Sequence, residues 1–187
     1  MADNIRGVYI NSALEKKIIL NITEIGSNVI EILTQKINNN FVGRCIEEGF
    51  IKPNSINILS YSSGIVHGEN IEFTVVFQCM ICLPVERQRI KCTINSITKA
   101  GIHAEVKEKD VTPIHIFVAK EHHIKDNYFK ELESNKEIEN LEIIVQVIGI
   151  RFEINDPYIC VIAKLIKKDN ENKKDEENKK KIEIHEE

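Results

Sequence analysis

Apolar and polar residues alternate with a period of two through several stretches of this chain and with a period of three to four through one. The clearest alternation covers residues 71–82. There Ile71, Phe73, Val75, Phe77, Cys79 and Ile81 share one face of an extended chain that ends at Leu83-Pro84. A strand of this length is able to serve as a beam joining two domains. Upstream, Tyr9-Ile10 and Ile18-Ile19-Leu20 read as two short strands. Ile22, Ile25, Val29, Leu33 and Ile37 then fall at the three-and-four spacing of one helix face, which predicts a helix of about 16 residues. Asn38-Asn39-Asn40 is expected to end it, because asparagine is a poor helix former. Residues 41–51 read as a strand, Lys52-Pro53-Asn54-Ser55 as a turn, and the stretch around Ile56 and Ile58 as another strand, with loops at 62–64 and 67–70.

Past Pro84 the pattern holds short strands. Ile90, Cys92 and Ile94 alternate with Arg89, Lys91 and Thr93, and Lys99-Ala100-Gly101 is a hairpin signal leading to a strand at 102–106. Residues 113–119, 141–150 and 158–166 complete five strands, with a short helix at 128–132 between the third and fourth. That order matches an OB-type barrel. The expected fold class is therefore α+β: an antiparallel sheet with one helix over residues 1–83, followed by an all-β OB barrel over 84–166. Residues 167–187 hold 7 Lys and 8 Asp/Glu with little apolar besides Ile182 and Ile184, so a charged, disordered tail is expected there.

Length and charge narrow the function classes. With 187 residues the chain suits one large or two small domains, and 42% hydrophobic residues are enough to bury a core. The net charge of −4 argues against a general nucleic-acid coat protein, since nonspecific affinity comes from Lys and Arg neutralising phosphates. No secretory signal is visible at Met1–Arg6 in the sequence, and no apolar run approaches the ~20 residues of a membrane span, so an intracellular setting without membrane contact is expected. The five cysteines then read as reduced thiols.

Residue constellations for catalysis or metal binding are sparse. Cys79-x-x-Cys82 lies inside a strand, where the two thiols point to opposite faces, whereas a redox pair sits at a helix N-terminus and a zinc site needs four ligands. Adjacent His122 and His123 diverge, and the sequence contains no HExxH, GxSxG or phosphate-cradling glycine loop. No catalytic residue, metal ligand or cofactor is expected. The barrel half offers more. Arg87, Arg89 and Lys91 fall on one face of its first strand, and Lys99, His103, His115, Phe117 and Lys120 on the next two strands and their hairpins. OB folds bind single strands on the second and third strands, with cations for the backbone and aromatics for base stacking. Arg89, Lys91, Lys99, His103, His115, Phe117 and Lys120 are thus the candidate RNA-binding residues.

Several strings, taken in order, carry a resemblance. Val42-Gly43-Arg44-Cys45 and Gly49-Phe50-Ile51 follow the helix; Ser63-Gly64-Ile65-Val66 precedes the long strand; Pro84-Val85-Glu86 follows it; Lys99-Ala100-Gly101-Ile102 and Ile116-Phe117-Val118-Ala119-Lys120 lie in the barrel. This set resembles the larger stalk subunit of DNA-directed RNA polymerases, the seventh-largest subunit of RNA polymerase II together with its archaeal counterpart. Tyr61-Ser62-Ser63-Gly64 and Thr98-Lys99-Ala100-Gly101 look closest to giant-virus versions. The resemblance implies an RNP-like tip domain that docks on polymerase core subunits near the clamp, an S1-type barrel near nascent single-stranded RNA, and a smaller helical stalk partner. It places Gly49 and Phe50 in the docking loop of the tip, and Lys99, His115, Phe117 and Lys120 near RNA. It implies a virion and a host cytoplasmic replication site for a viral version, and the nucleus for a cellular one. Two positions depart from the family: Arg87 stands where glycine is frequent, a costly choice if that turn needs a positive φ, and Ile102 stands where an aromatic is frequent. A free-standing S1-type RNA-binding factor of translation or RNA decay is the alternative expectation.

Overall fold

The computed structural model describes residues 7–26, 28–108, 111–123, 127–134 and 140–166. In the first half these form β1 (Tyr9–Asn21), α1 (Val29–Phe41), β2 (Cys45–Ile46), β3 (Gly49–Ile51), β4 (Asn57–Tyr61), β5 (Ile65–His67) and β6 (Asn70–Cys82). β1 and β6 pair antiparallel along their whole lengths, from Tyr9 opposite Cys82 to Asn21 opposite Asn70. β3, β4 and β5 line the other edge of β6, and β2 pairs with β3. One face of this sheet carries Ile18, Leu20, Phe73, Val75, Phe77, Cys79 and Ile81, packed with Leu33 and Ile37 of α1. Each such side chain contributes roughly 1.5–3 kcal/mol when removed from water.

The alternation at 71–82 is therefore a buried face, but several other readings change. The two short strand candidates are one strand, β1, because the polar residues between them alternate against the full length of β6. The helix does not begin at Ile22. Asn21 caps a separate 3-10 turn, accepting from the Thr23 amide at 3.0 Å, while Glu24 accepts from the Asn21 amide at 3.0 Å. Asn28 then caps α1. α1 also runs through Asn38-Asn39-Asn40 to Phe41. A propensity cost of about 0.7 kcal/mol per asparagine is outweighed by packing Ile37 and Phe41 on the sheet. Consequently 41–51 is not one strand but the end of α1 and the β2–β3 hairpin, and the loops at 62–70 enclose β5.

The second half forms β7 (Arg89–Thr98), β8 (Gly101–Glu108), β9 (Val111–Ala119), α2 (Asn127–Ser134), β10 (Glu142–Arg151) and β11 (Ile159–Ile166). They close a barrel in the order β10-β11-β9-β8-β7, antiparallel throughout except for the parallel β9–β11 pair. This is the strand order of an OB-like barrel. Ile90, Ile94, Ile102, Ile114, Val145, Ile159 and Val161 fill it, and Phe129 and Leu132 of α2 join that core. His123 is buried beside them, accepting from the Leu165 amide at 3.1 Å and stacking on Phe129 with centroids 5.3 Å apart.

Sheet and barrel meet in a seam. Cys45, Phe50 and Cys82 belong to the sheet by hydrogen bonding and to the barrel core by packing. The Cys45 amide donates to the Asp156 carbonyl and the Asn155 amide to the Cys45 carbonyl, both at 2.8 Å. Lys52 pairs with Glu108 of β8 and lies 4.5 Å over the Tyr9 ring. The expected tail at 167–187 lies outside the described residues.

Candidate nucleic-acid interface

The outer face of the barrel carries one aromatic cleft. Strand pairing places His103 of β8 opposite Phe117 of β9, and Phe117 opposite Ile162 of β11. A second row holds His115 of β9 opposite Cys160 of β11 and, beyond it, Arg151 of β10. A bulge between Val147 and Gly149 bends β10 at this level. The result is a cleft of about 480 Å³ with His103, Phe117, His115, Tyr158, Ile150 and Arg151 among its walls. Two ring pairs stand in it: His103 with Phe117 at 5.0 Å between centroids, and His115 with Tyr158 at 4.2 Å. Gly101 makes room for one of them. A β-carbon there would lie 2.2 Å from the Val118 carbonyl oxygen and 3.1 Å from the Phe117 ring.

The sequence-derived candidates do not all reach this cleft. His103, His115 and Phe117 line it. Lys99 is exposed in the hairpin that precedes Gly101, and the Lys120 amide donates to the Ala100 carbonyl at 3.0 Å, so both cations' backbones stand at the Phe117 end. Arg89 and Lys91 stand elsewhere, on the half of β7 that pairs with β10. Lys91 bonds Glu142 at 2.7 Å and borders a different hollow, about 270 Å³, that includes Glu105, Lys107 and Glu108. Lys91 thus stands on the outer face of β7 as expected, among carboxylates and apart from the aromatic cleft. Arg87 is not on the strand face. It sits in the preceding turn at φ +67°, its amide donating to the Val147 carbonyl at 2.9 Å.

Tyr158, Arg151, Gly149 and Cys160 escape a reading of the sequence alone. Alternation along β11 already turns Cys160 and Ile162 outward, but only the parallel β9–β11 pairing brings that strand beside His115.

Gly49 and Phe50, expected in the docking loop, are both buried. Phe50 is fully buried, and Gly49 has φ +122° with Cys82's carbonyl oxygen 2.5 Å from where a β-carbon would stand. Phe50 packs with the barrel core at the seam, and Gly49 lies against Ile81, Cys82 and Leu83.

The Cys79 and Cys82 thiols are buried rather than poised. Burial pushes Cys79 up to about 11 and Cys82 up to about 12, and the two fall in different cores. Cys92, also desolvated, is pushed up to about 12. Among the described residues no group of three or more His, Cys, Asp or Glu converges as a metal site, and no helix is long and apolar enough to cross a membrane.

A helix-backed sheet built on two long strands is thus joined to an OB-order barrel that carries an aromatic outer cleft. The chain matches no protein-family model. It is similar to a protein of Acanthamoeba polyphaga mimivirus provisionally named a DNA-directed RNA polymerase subunit: 24% identical over 168 residues, covering 86% of this chain and 83% of that protein.

Proposed function

We propose that this chain is a non-catalytic stalk subunit of a multisubunit DNA-dependent RNA polymerase, a bracket between the core enzyme and the transcript it releases. The observation that carries this reading is the similarity to the mimivirus polymerase protein, which spans most of both chains rather than the barrel alone. The OB strand order supports the S1-type assignment, and the helix-backed sheet supports an RNP-like tip.

In this reading the sheet half docks on core subunits near the clamp, through exposed residues rather than through Gly49 or Phe50, and accommodates a smaller helical stalk partner. Differential affinity for two clamp positions would bias their populations. The barrel offers nascent RNA two ring pairs for stacking, with Lys99 and Lys120 towards one end and Arg151 towards the other. Stacking is sequence-tolerant, which suits a transcript that must slide. Such a protein works where its polymerase works: in virion and host cytoplasmic replication sites for a viral enzyme, in the nucleus for a cellular one.

Affinity capture of the tagged full-length chain from producing cells tests the assignment. Recovery of the large polymerase subunits is the expected result. Recovery of ribosomes or nucleases instead would transfer the protein to the class of free-standing S1-type factors.

A further inference from the structure

We infer that the turn joining β10 to β11 is a positioning device through which the sheet sets the aromatic cleft of the barrel; this rests on the RNA-contacting role proposed above. The turn spans residues 153–156. The Asp156 amide donates to the Glu153 carbonyl at 3.1 Å, and the Asp156 carboxylate accepts from the Glu153 amide at 2.7 Å. Asn155 completes it at φ +73°, a conformation that asparagine tolerates better than most residues.

The outer backbone of this turn is bound to the sheet, not to the barrel. Cys45 exchanges two 2.8 Å backbone hydrogen bonds with Asn155 and Asp156. Cys45 is itself held opposite Phe50, and Phe50 opposite Cys82 of the long strand β6. The ladder of the sheet therefore continues into the barrel turn. On the other side only Pro157 separates Asp156 from Tyr158, whose ring rests on His115. Tyr158 is partly exposed and precedes the buried Ile159, so its direction follows the turn that delivers it. Asp156 acts on the RNA face through Tyr158 and does not line the cleft.

Charge gives this proposal a sign that simple electrostatics does not share. Removing a carboxylate near an RNA site favours phosphate binding, whereas loosening the turn weakens stacking. Full-length protein, Asp156→Ala, Asp156→Asn and Tyr158→Ala are compared by fluorescence anisotropy with a labelled oligouridine. Tyr158→Ala is expected to lose affinity between about fivefold and a hundredfold, the range for one stacked base. Asp156→Ala is expected to lose about three- to tenfold while the salt slope stays unchanged, because no cation is removed. Asp156→Asn keeps an acceptor for the Glu153 amide and is expected to bind at least as tightly as the parent.

NMR on the same proteins follows the His115–Tyr158 ring contact and the exchange protection of the Cys45 and Asn155 amides. All three features are expected to weaken together in Asp156→Ala and to return in Asp156→Asn, at a thermal midpoint that shows the fold intact. Tighter or unchanged binding by Asp156→Ala, or retention of the ring contact after the amides lose protection, overturns the inference. Should the parent bind no oligouridine, the RNA role fails, and the NMR comparison still decides whether the turn positions Tyr158.

Discussion

Arg87 adopts φ +67° in the turn that carries the chain from the sheet into the barrel, and it is not a glycine. The left-handed region costs a residue with a β-carbon about 1–2 kcal/mol, offset in part by the greater chain entropy that glycine loses. The two hydrogen bonds of Arg87 that fix the turn, from its amide to Val147 and from Gln146 to its carbonyl, are made by its backbone. Arg87→Gly keeps both, so it is expected to raise stability by about 0.5–1 kcal/mol, read as the urea midpoint. The thiols give a second residue-scale expectation. Cys160 is exposed and the other four are buried, so one equivalent reacts rapidly with a thiol reagent in the native protein and five react after unfolding. Cys79 and Cys92 have folded pKa values raised to about 11 and about 12 by burial. Their contribution to stability is complete below the unfolded value of about 8.5 and is lost as pH rises through the folded values. The urea midpoint should therefore fall between about pH 9 and 11, and the fall should be shallower in a Cys79→Ala, Cys92→Ala variant.

At the scale of elements, the cleft depends on which strands are neighbours. Lys91 of β7 faces a side of the barrel populated by Glu105, Glu108 and Glu142, whereas the β7–β8 hairpin and the end of β9 bring Lys99 and Lys120 to the aromatic face. Replacing Lys99 and Lys120 by alanine is expected to flatten the slope of log affinity against log salt by about 0.7 for each phosphate no longer neutralised, while Lys91→Ala leaves it unchanged. An equal effect of Lys91→Ala in an oligonucleotide titration would move the RNA path to β7. Phe117→Ala is expected to weaken binding by about 1–3 kcal/mol with the slope preserved, since a stacking surface is removed and no charge.

For the molecule as a whole, the seam decides how the halves respond to damage. Phe50 is fully buried where the sheet ladder enters the barrel core. Phe50→Ala should cost about 3–5 kcal/mol, and it should lower the stability of both halves in one transition, monitored by amide exchange in β6 and in β11. Two separate transitions would show that the halves unfold independently. Phe50→Asp is for the same reason no test of docking: it buries a charge in the seam.

Much of this architecture is legible along the chain. The alternation of Phe73, Val75, Phe77, Cys79 and Ile81 marks the buried face of β6, and Lys99-Ala100-Gly101 marks the hairpin that joins β7 to β8. Alternation and turn chemistry are local, so sequence reports them directly. Helix α1 is half legible: its stripe identifies Leu33 and Ile37, but its ends are set by two asparagine caps and by packing that overrides three further asparagines. The docking expectation for Gly49 and Phe50 meets a different obstacle. An aromatic beside a glycine in a short hairpin looks the same in sequence whether solvent or a second core covers it.

By itself the sequence determined the five barrel strands, the buried face of β6, and the set of aromatic and basic residues available on the barrel, because these follow from the period of two and from turn-forming residues. Tertiary structure alone decided that β11 lies parallel to β9, which sets Tyr158 on His115, and that Phe50 faces the barrel. Those outcomes arise from barrel closure and from burial between two cores, where the partners are distant in the chain and no local pattern encodes them.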